Sequence, residues 1–167
     1  CCSFFLVLLH TMTSEKTNKI LLIIQRSNGD VLLSLSLIKA LFEKFNQPQI
    51  DILVNDDTIL VAKIMPFINH IYTFSYIKKQ VSQFKQEQNL ILSIFRKYDL
   101  SINLTSSDRS VVYALLASKN SISAVEKNHK KSWWKKYFLS FYYYFDSSKH
   151  ILLNNLEPLN LLNINHK

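Results

Sequence analysis

Two hydrophobic periods alternate along the chain. Residues 20–24 (ILLII) form an unbroken apolar run, the pattern of a strand buried on both faces. From Val31 the apolar residues recur at helical spacing through Leu35, Ile38, Phe42 and Phe45, with Asp30 placed to cap the helix. Gln47-Pro48-Gln49 ends that helix and residues 50–54 (IDILV) read as a second strand. After the turn Asn55-Asp56-Asp57, residues 58–65 read as a short helix stopped by Pro66, and 70–74 as a third strand. Residues 78–98 follow helical spacing, 100–104 (LSINL) form a fourth strand, 108–117 a helix and 121–125 (SISAV) a fifth strand. Strands alternating with helices in this order predict a parallel sheet covered by helices on both faces.

The pattern changes after Glu126, in KNHKKSWWKKYFLSFYYYF. Read as a helix, this stretch puts Trp134, Phe138, Phe141 and Phe145 on one face, with Lys135 and Lys136 nearby. Packing against the sheet or another domain is the preferred reading of that stripe, and a membrane interface is the alternative. Residues 150–162 read as helical in their first half and interrupted by Pro158. At the other end, the apolar stretch 4–9 is far short of the about 20 residues that span a bilayer. It also lacks the basic leader and cleavage site of a secretory signal. Met12 reads as the true start, so residues 1–18 are expected to be a disordered or non-native leader and 19–167 one domain.

Composition narrows the function. Apolar residues make up 48% and charged residues 19%, as in globular chains, and the formal charge of +8 points to an anionic partner. The two cysteines are adjacent and cannot staple a fold, and the five histidines show no ligand spacing, so no metal site is expected. Cysteine usage fits a reducing, intracellular compartment. Nucleic acid is not an expected partner, because no RRM, KH or helix-turn-helix pattern accompanies the charge. The chain has one glycine, Gly29. Neither GxGxxG nor the P-loop is therefore present, which argues against nicotinamide, flavin and P-loop nucleotide enzymes. Gly29 stands after the first strand, at the carboxyl edge where open α/β sheets bind ligands. There it is expected to let the backbone turn sharply and to leave space above the turn. Taken alone, Asp30 reads first as the helix cap.

The stretch KILLIIQRSNGDVLLSLSLIKAL resembles the opening of the lipopolysaccharide heptosyltransferases, inverting glycosyltransferases of family 9, with their strand, G-D turn and long helix. IDILVN, MPFINHIYTF, RKYDLSINLTSSDRSVVYALLASKNSISAV and HILLNNLEPLNLL resemble later blocks of that family in the same order, so the likeness covers roughly residues 19–162. Ser36, Asn103, Thr105 and Ser123 depart from the family pattern and read as drift at structural positions. The resemblance implies a Rossmann-like parallel sheet flanked by helices, the N-terminal, acceptor-binding half of a GT-B glycosyltransferase. The donor-binding domain is expected to be absent from this chain.

The same resemblance implies a reaction: transfer of a sugar, heptose by the likeness, from an ADP-heptose-like donor to a lipid-anchored anionic saccharide of the lipopolysaccharide inner core. Asp30 is the implied base, removing the acceptor proton. Arg26, Ser27, Asn28, Gly29, Arg109, Lys127, Lys130 and Lys131 are the implied acceptor-binding residues, the cations by charge-assisted contacts. No cofactor or metal is expected, and the donor nucleotide-sugar would bind the missing domain. Location would be cytoplasmic, with peripheral contact at the inner membrane face left open. The alternative is a non-catalytic remnant or anionic-ligand binding module of the same fold.

Overall fold

The computed structural model describes residues 17–76 and 80–164, with all side chains among them except those of 80–82 and 129–131. The elements run β1 (Lys19–Ile24), α1 (Asn28–Leu33), α2 (Leu35–Lys44), β2 (Gln49–Asn55), a 3-10 turn (Asp56–Thr58), α3 (Ile59–Ile64), β3 (Ile68–Phe74) and α4 (Gln80–Ile94). Then follow β4 (Leu100–Asn103), α5 (Asp108–Ala117), β5 (Asn120–Val125), α6 (His129–Phe138), β6 (Phe141–Tyr144) and α7 (Ile151–Leu161). Among the described residues six strands pair in the order β3-β2-β1-β4-β5-β6, all parallel. Strand order reverses at β1, so the crevice between the ends of β1 and β4 is the place where such sheets bind ligands.

Alternation along the strands divides the core in two. Ile20, Leu22 and Ile24 face one cluster with Val31, Leu37 and Leu41 of α1 and α2, together with Leu159 of α7. Leu21 and Ile23 face the other, with Leu90 and Ile94 of α4 and Tyr113 and Ala114 of α5. Every apolar residue of β1 is fully buried, which is why this strand reads as a continuous run. Each such side chain contributes about 1.5–3 kcal/mol over leaving it exposed.

Four local expectations are corrected. Asp30 is not the helix cap: Ser27 is, its Oγ accepting from the Asp30 N–H at 3.4 Å, which puts Asp30 in the first turn. The helix predicted from Val31 onward breaks at Ser34, whose buried hydroxyl donates to Val31 O at 2.6 Å and competes with the helical pattern. The aromatic run is not one helix: α6 stops at Phe138, and FYYY is an edge strand parallel to β5, with Phe141 and Tyr143 buried and Tyr142 and Tyr144 facing outward. Period two and aromatic β preference overrode the helical stripe. Finally, Pro158 does not interrupt α7. It is buried within the helix, three residues from its end, and the helix runs on past it to Leu161.

Two residues counted in the leader belong to the fold: Thr17 is buried, and the Asn18 N–H donates to Asp99 Oδ2 at 2.9 Å. Residues 1–16 lie outside the described residues. Among those that are described, no helix is long and apolar enough to cross a membrane.

Candidate functional site at the carboxyl edge

The carboxyl end of β1 delivers Arg26, Ser27, Asn28, Gly29 and Asp30 as one turn into α1. Ser27, Asn28 and Gly29 are exposed, while Arg26 and Asp30 are half-buried. Gly29 is not held in a left-handed conformation. A Cβ there would meet nothing closer than Ser27 Oγ, at 3.9 Å. The expectation that the turn needs glycine is therefore corrected: what Gly29 leaves is open space over the first helical turn. Asp30 is fixed by its backbone, through the Ser27 cap on one side and Asn155 Nδ2 donating to its carbonyl at 3.4 Å on the other. Among the described residues no hydrogen bond or ion pair engages its carboxylate. The carboxylate is thus positioned through its backbone and left without a partner among the described residues.

The two arginines share this edge but not a face of the sheet. Arg26 stacks on Phe145, 4.1 Å from the ring centroid, and Phe145 packs with the cluster of α1, α2 and α7. Its positive charge opposes the effect of burial, which pushes the Tyr143 hydroxyl well above its ordinary value. Arg109 lies over Phe74 and Tyr76 at 4.8 and 5.6 Å, on the side of α4 and α5. Arg109 is also already paired, Nε to Glu87 Oε1 at 3.3 Å, and the same carboxylate oxygen accepts from the Tyr113 hydroxyl at 2.9 Å. Arg26 thus presents a guanidinium with no carboxylate partner among the described residues, whereas any anion reaching Arg109 competes with Glu87.

Lys127 follows β5 and bridges to Asp146 after β6, Nζ to Oδ2 at 3.1 Å. Ser148 hydroxyl and N–H, and then Lys127, hold the Asp146 carboxyl well below the usual carboxylate range. Lys127 therefore ties two loops together as well as carrying charge. Lys130 and Lys131 fall in the first turn of α6, and their side chains lie outside the described residues.

Three features of the edge were not legible from sequence. Lys135, only 1% exposed, reaches Asp108 Oδ1 and Ser106 O, both at 2.7 Å, and so anchors the start of α5, whose first turn carries Arg109. Within WWKKYF nothing separates it from its neighbour Lys136. Asn103, Thr105 and Ser123, read as independent drift, form one network: Asn103 Nδ2 donates to Ser123 Oγ at 2.9 Å and Thr105 O at 2.7 Å, while Oδ1 accepts from Thr105 N–H at 3.0 Å. A carboxylate at that position could not donate to either. Thr105 Oγ1 in turn accepts from the Gln25 N–H at 3.0 Å, joining β4 to the turn after β1. The third feature is Gln25 itself, whose side chain is buried. Among the described residues no group of three His, Cys, Asp or Glu side chains is placed to hold a metal ion.

No protein-family model matches the chain. Lipopolysaccharide heptosyltransferase 3 of Escherichia coli is 29% identical over 106 residues, 62% of this chain and 31% of that protein. A family 9 glycosyl transferase from Veillonella parvula superposes with a TM-score of 0.74 at 16% identity, covering 89% of this chain and 42% of the other. Heptosyltransferase WaaC of E. coli, solved with ADP-2-deoxy-2-fluoro heptose, gives 0.67 at 13% identity over 86% and 47%. The chain is similar to the family 9 heptosyltransferases. E. coli ADP-heptose lps heptosyltransferase II adds a TM-score of 0.62 at 19% identity over 83% and 39%. The Rossmann-like parallel sheet flanked by helices is thus the fold of these heptosyltransferase structures over the part that matches. The chain spans less than half the length of each of these proteins.

Proposed function

We propose that this chain is the acceptor-side half of a glycosyltransferase of lipopolysaccharide core synthesis, and that Asp30 is its base. The observation that carries the reading is the Asp30 carboxylate, fixed through its backbone at the carboxyl edge and engaged by no side chain among the described residues. Three of the named relatives are heptosyltransferases, and one was solved with a fluorinated ADP-heptose, which supports an ADP-heptose-like donor held by a second domain.

In this reading the acceptor saccharide lies over the Arg26–Asp30 turn, in the space Gly29 leaves open. Asp30 takes the proton of the attacking hydroxyl as its oxygen bonds to the anomeric carbon of the donor sugar. The bond from that carbon to the nucleoside diphosphate breaks, the electron pair leaves with the diphosphate, and configuration inverts. Arg26 binds acceptor carboxylate or phosphate groups through the guanidinium edge its stacking leaves free, and Lys127, Lys130 and Lys131 supply weaker charge. Arg109 joins them only by exchanging Glu87 for the ligand. Ser27 and Asn28 offer exposed polar groups beside the carboxylate. The transfer we propose is metal-independent and cytoplasmic, on a lipid-anchored acceptor at the inner membrane face.

The test is binding and transfer together. Acceptor saccharide carrying phosphate should bind the chain more weakly as salt rises, since exposed charge contacts are screened. Transfer, in a polypeptide that also carries a family donor domain, should depend on Asp30. Salt-insensitive binding with full transfer by an Asp30 variant would leave only the fold in common with the transferases.

A further inference from the structure

We infer that Gln25 and Asn55 form a subsite for a neutral hydroxyl pair of a saccharide, at the carboxyl ends of β1 and β2. This rests on the saccharide-acceptor reading above, and it places a second contact region on the opposite face of the edge from Arg26.

Gln25 is 8% exposed, and neither Nε2 nor Oε1 of its carboxamide has a partner among the described residues. Asn55 Oδ1 is buried and unpartnered as well. Among the described residues the one other such atom is Ser121 Oγ, at the amino end of β5, so the unsatisfied groups concentrate at the ligand-binding edge. The two residues are neighbours: β1 and β2 pair in register through Ile24 and Val54, and Gln25 and Asn55 are the next positions. Their backbones are already engaged, Gln25 N–H by Thr105 Oγ1 at 3.0 Å and Asn55 O by the Thr58 hydroxyl at 3.0 Å. The carboxamides are therefore held in place without being used, an arrangement that costs free energy unless a partner arrives.

The alternation that turns Leu21, Ile23 and Leu53 toward α4 and α5 continues to Gln25 and Asn55. Asn55 is in register with Phe74 on β3, the ring on which Arg109 stacks. Tyr76, half exposed, and Arg109 stand at this end of the same face, both against the Phe74 ring. A primary carboxamide offers two donors and an acceptor without charge, and a second amide oxygen adds another acceptor. Hydroxyl groups both donate and accept, and so match this set. A carboxylate or phosphate would place acceptors against two amide oxygens, and the Arg109 guanidinium at this end is already paired with Glu87. The chemistry selects a vicinal diol over an anion.

The experiment uses the 167-residue chain, labelled with ¹⁵N, titrated with methyl α-D-mannopyranoside in one arm and inorganic phosphate in the other. The mannoside should move the Gln25 side-chain amide resonance, and phosphate should leave it in place. Gln25→Leu should weaken mannoside binding about tenfold, the scale of one lost set of hydrogen bonds. Its melting temperature should not fall, because an apolar group replaces an unsatisfied amide. An unmoved Gln25 resonance in the native chain overturns the inference without any variant, since the amide is then satisfied by ordered water or by the fold. A lower melting temperature in Gln25→Leu with mannoside affinity unchanged overturns it too, and so does phosphate displacing the mannoside at Gln25. Asp30-dependent transfer is read separately, so either result can stand while the other fails.

Discussion

Asn155 on α7 donates from Nδ2 to the backbone carbonyl of Asp30, across 125 residues of sequence. The break at Ser34 explains why that carbonyl is available. Ser34 N–H turns to Val31 O at 3.2 Å, not to Asp30 O as an unbroken helix would require, and Asn155 supplies a donor in its place. Its neighbour Asn154 clamps the loop after β6 in the same way, accepting from Asp146 N–H at 3.0 Å and donating to Asp146 O at 2.9 Å. Two adjacent buried amides thus hold the turn after β1 and the loop after β6 on one helix.

Asn155→Ala should therefore cost about 1 kcal/mol, the low end for a carbonyl left unpaired, because 3.4 Å is a long bond. Urea denaturation measures it. An unchanged midpoint would mean that α7 does not support the Asp30 turn.

Lys135 holds the start of α5, which carries Arg109, and the two members of its ion pair differ in exposure. The Lys135 side chain is 1% exposed and that of Asp108 is 73% exposed. Asp108→Ala leaves a buried ammonium with Ser106 O as its remaining hydrogen bond. The expected loss is roughly 1–2 kcal/mol, less than for a fully buried pair because water screens the carboxylate. Lys135→Met removes the buried charge itself and should cost less. Equal losses, by thermal denaturation, would argue against a stranded charge.

Much of this architecture was legible in the sequence, and the exceptions share a cause. β1, β2, β4 and β5 are buried on both faces, and β1 and β2 show it as apolar runs, whereas in β4 and β5 short aliphatic positions alternate with buried Ser101, Asn103, Ser121 and Ser123. β6 is an edge strand with one outward face, and four aromatics fit a strand or a helix equally until β5 is there to pair with. The site divides the same way. Arg26, Asp30 and Arg109 could be placed on the carboxyl edge by counting from strand ends. Their partners could not, because Glu87, Asn155 and Lys135 reach them from elements 22, 125 and 27 residues away, from Arg109, Asp30 and Asp108 respectively. Orphaned atoms such as those of Gln25 are visible only once every neighbour is known.

Three buried tyrosines set an alkaline limit. Burial, reinforced by Asp51 for Tyr98 and by Glu87 for Tyr113, pushes both hydroxyls well above the ordinary 10.0, and burial does the same to Tyr143. Folded values raised above unfolded ones mean that this stability is complete below pH 10.0 and falls as pH rises beyond it. Phenolate absorbance should show these three ionising only together with loss of the fold. Smooth titration of all the tyrosines in a folded chain would contradict their burial.

The Arg26–Asp30 turn allows carboxylate and glycine to be tested apart. Because a Cβ at Gly29 meets only Ser27 Oγ at 3.9 Å, Gly29→Ala should fold, with a gain of up to about 1 kcal/mol from helix propensity. If the acceptor uses that space, its affinity should fall while the melting temperature holds or rises. Asp30→Asn keeps the backbone N–H that Ser27 caps and the carbonyl that Asn155 meets, so the fold should change little. What it loses is the proton acceptor. With a donor domain present, turnover should drop about a hundredfold or more, the scale of losing a general base, and acceptor binding should stay near its original strength. Binding lost together with turnover would make Asp30 a ligand to the acceptor, and turnover kept intact would leave its carboxylate with no part in the chemistry.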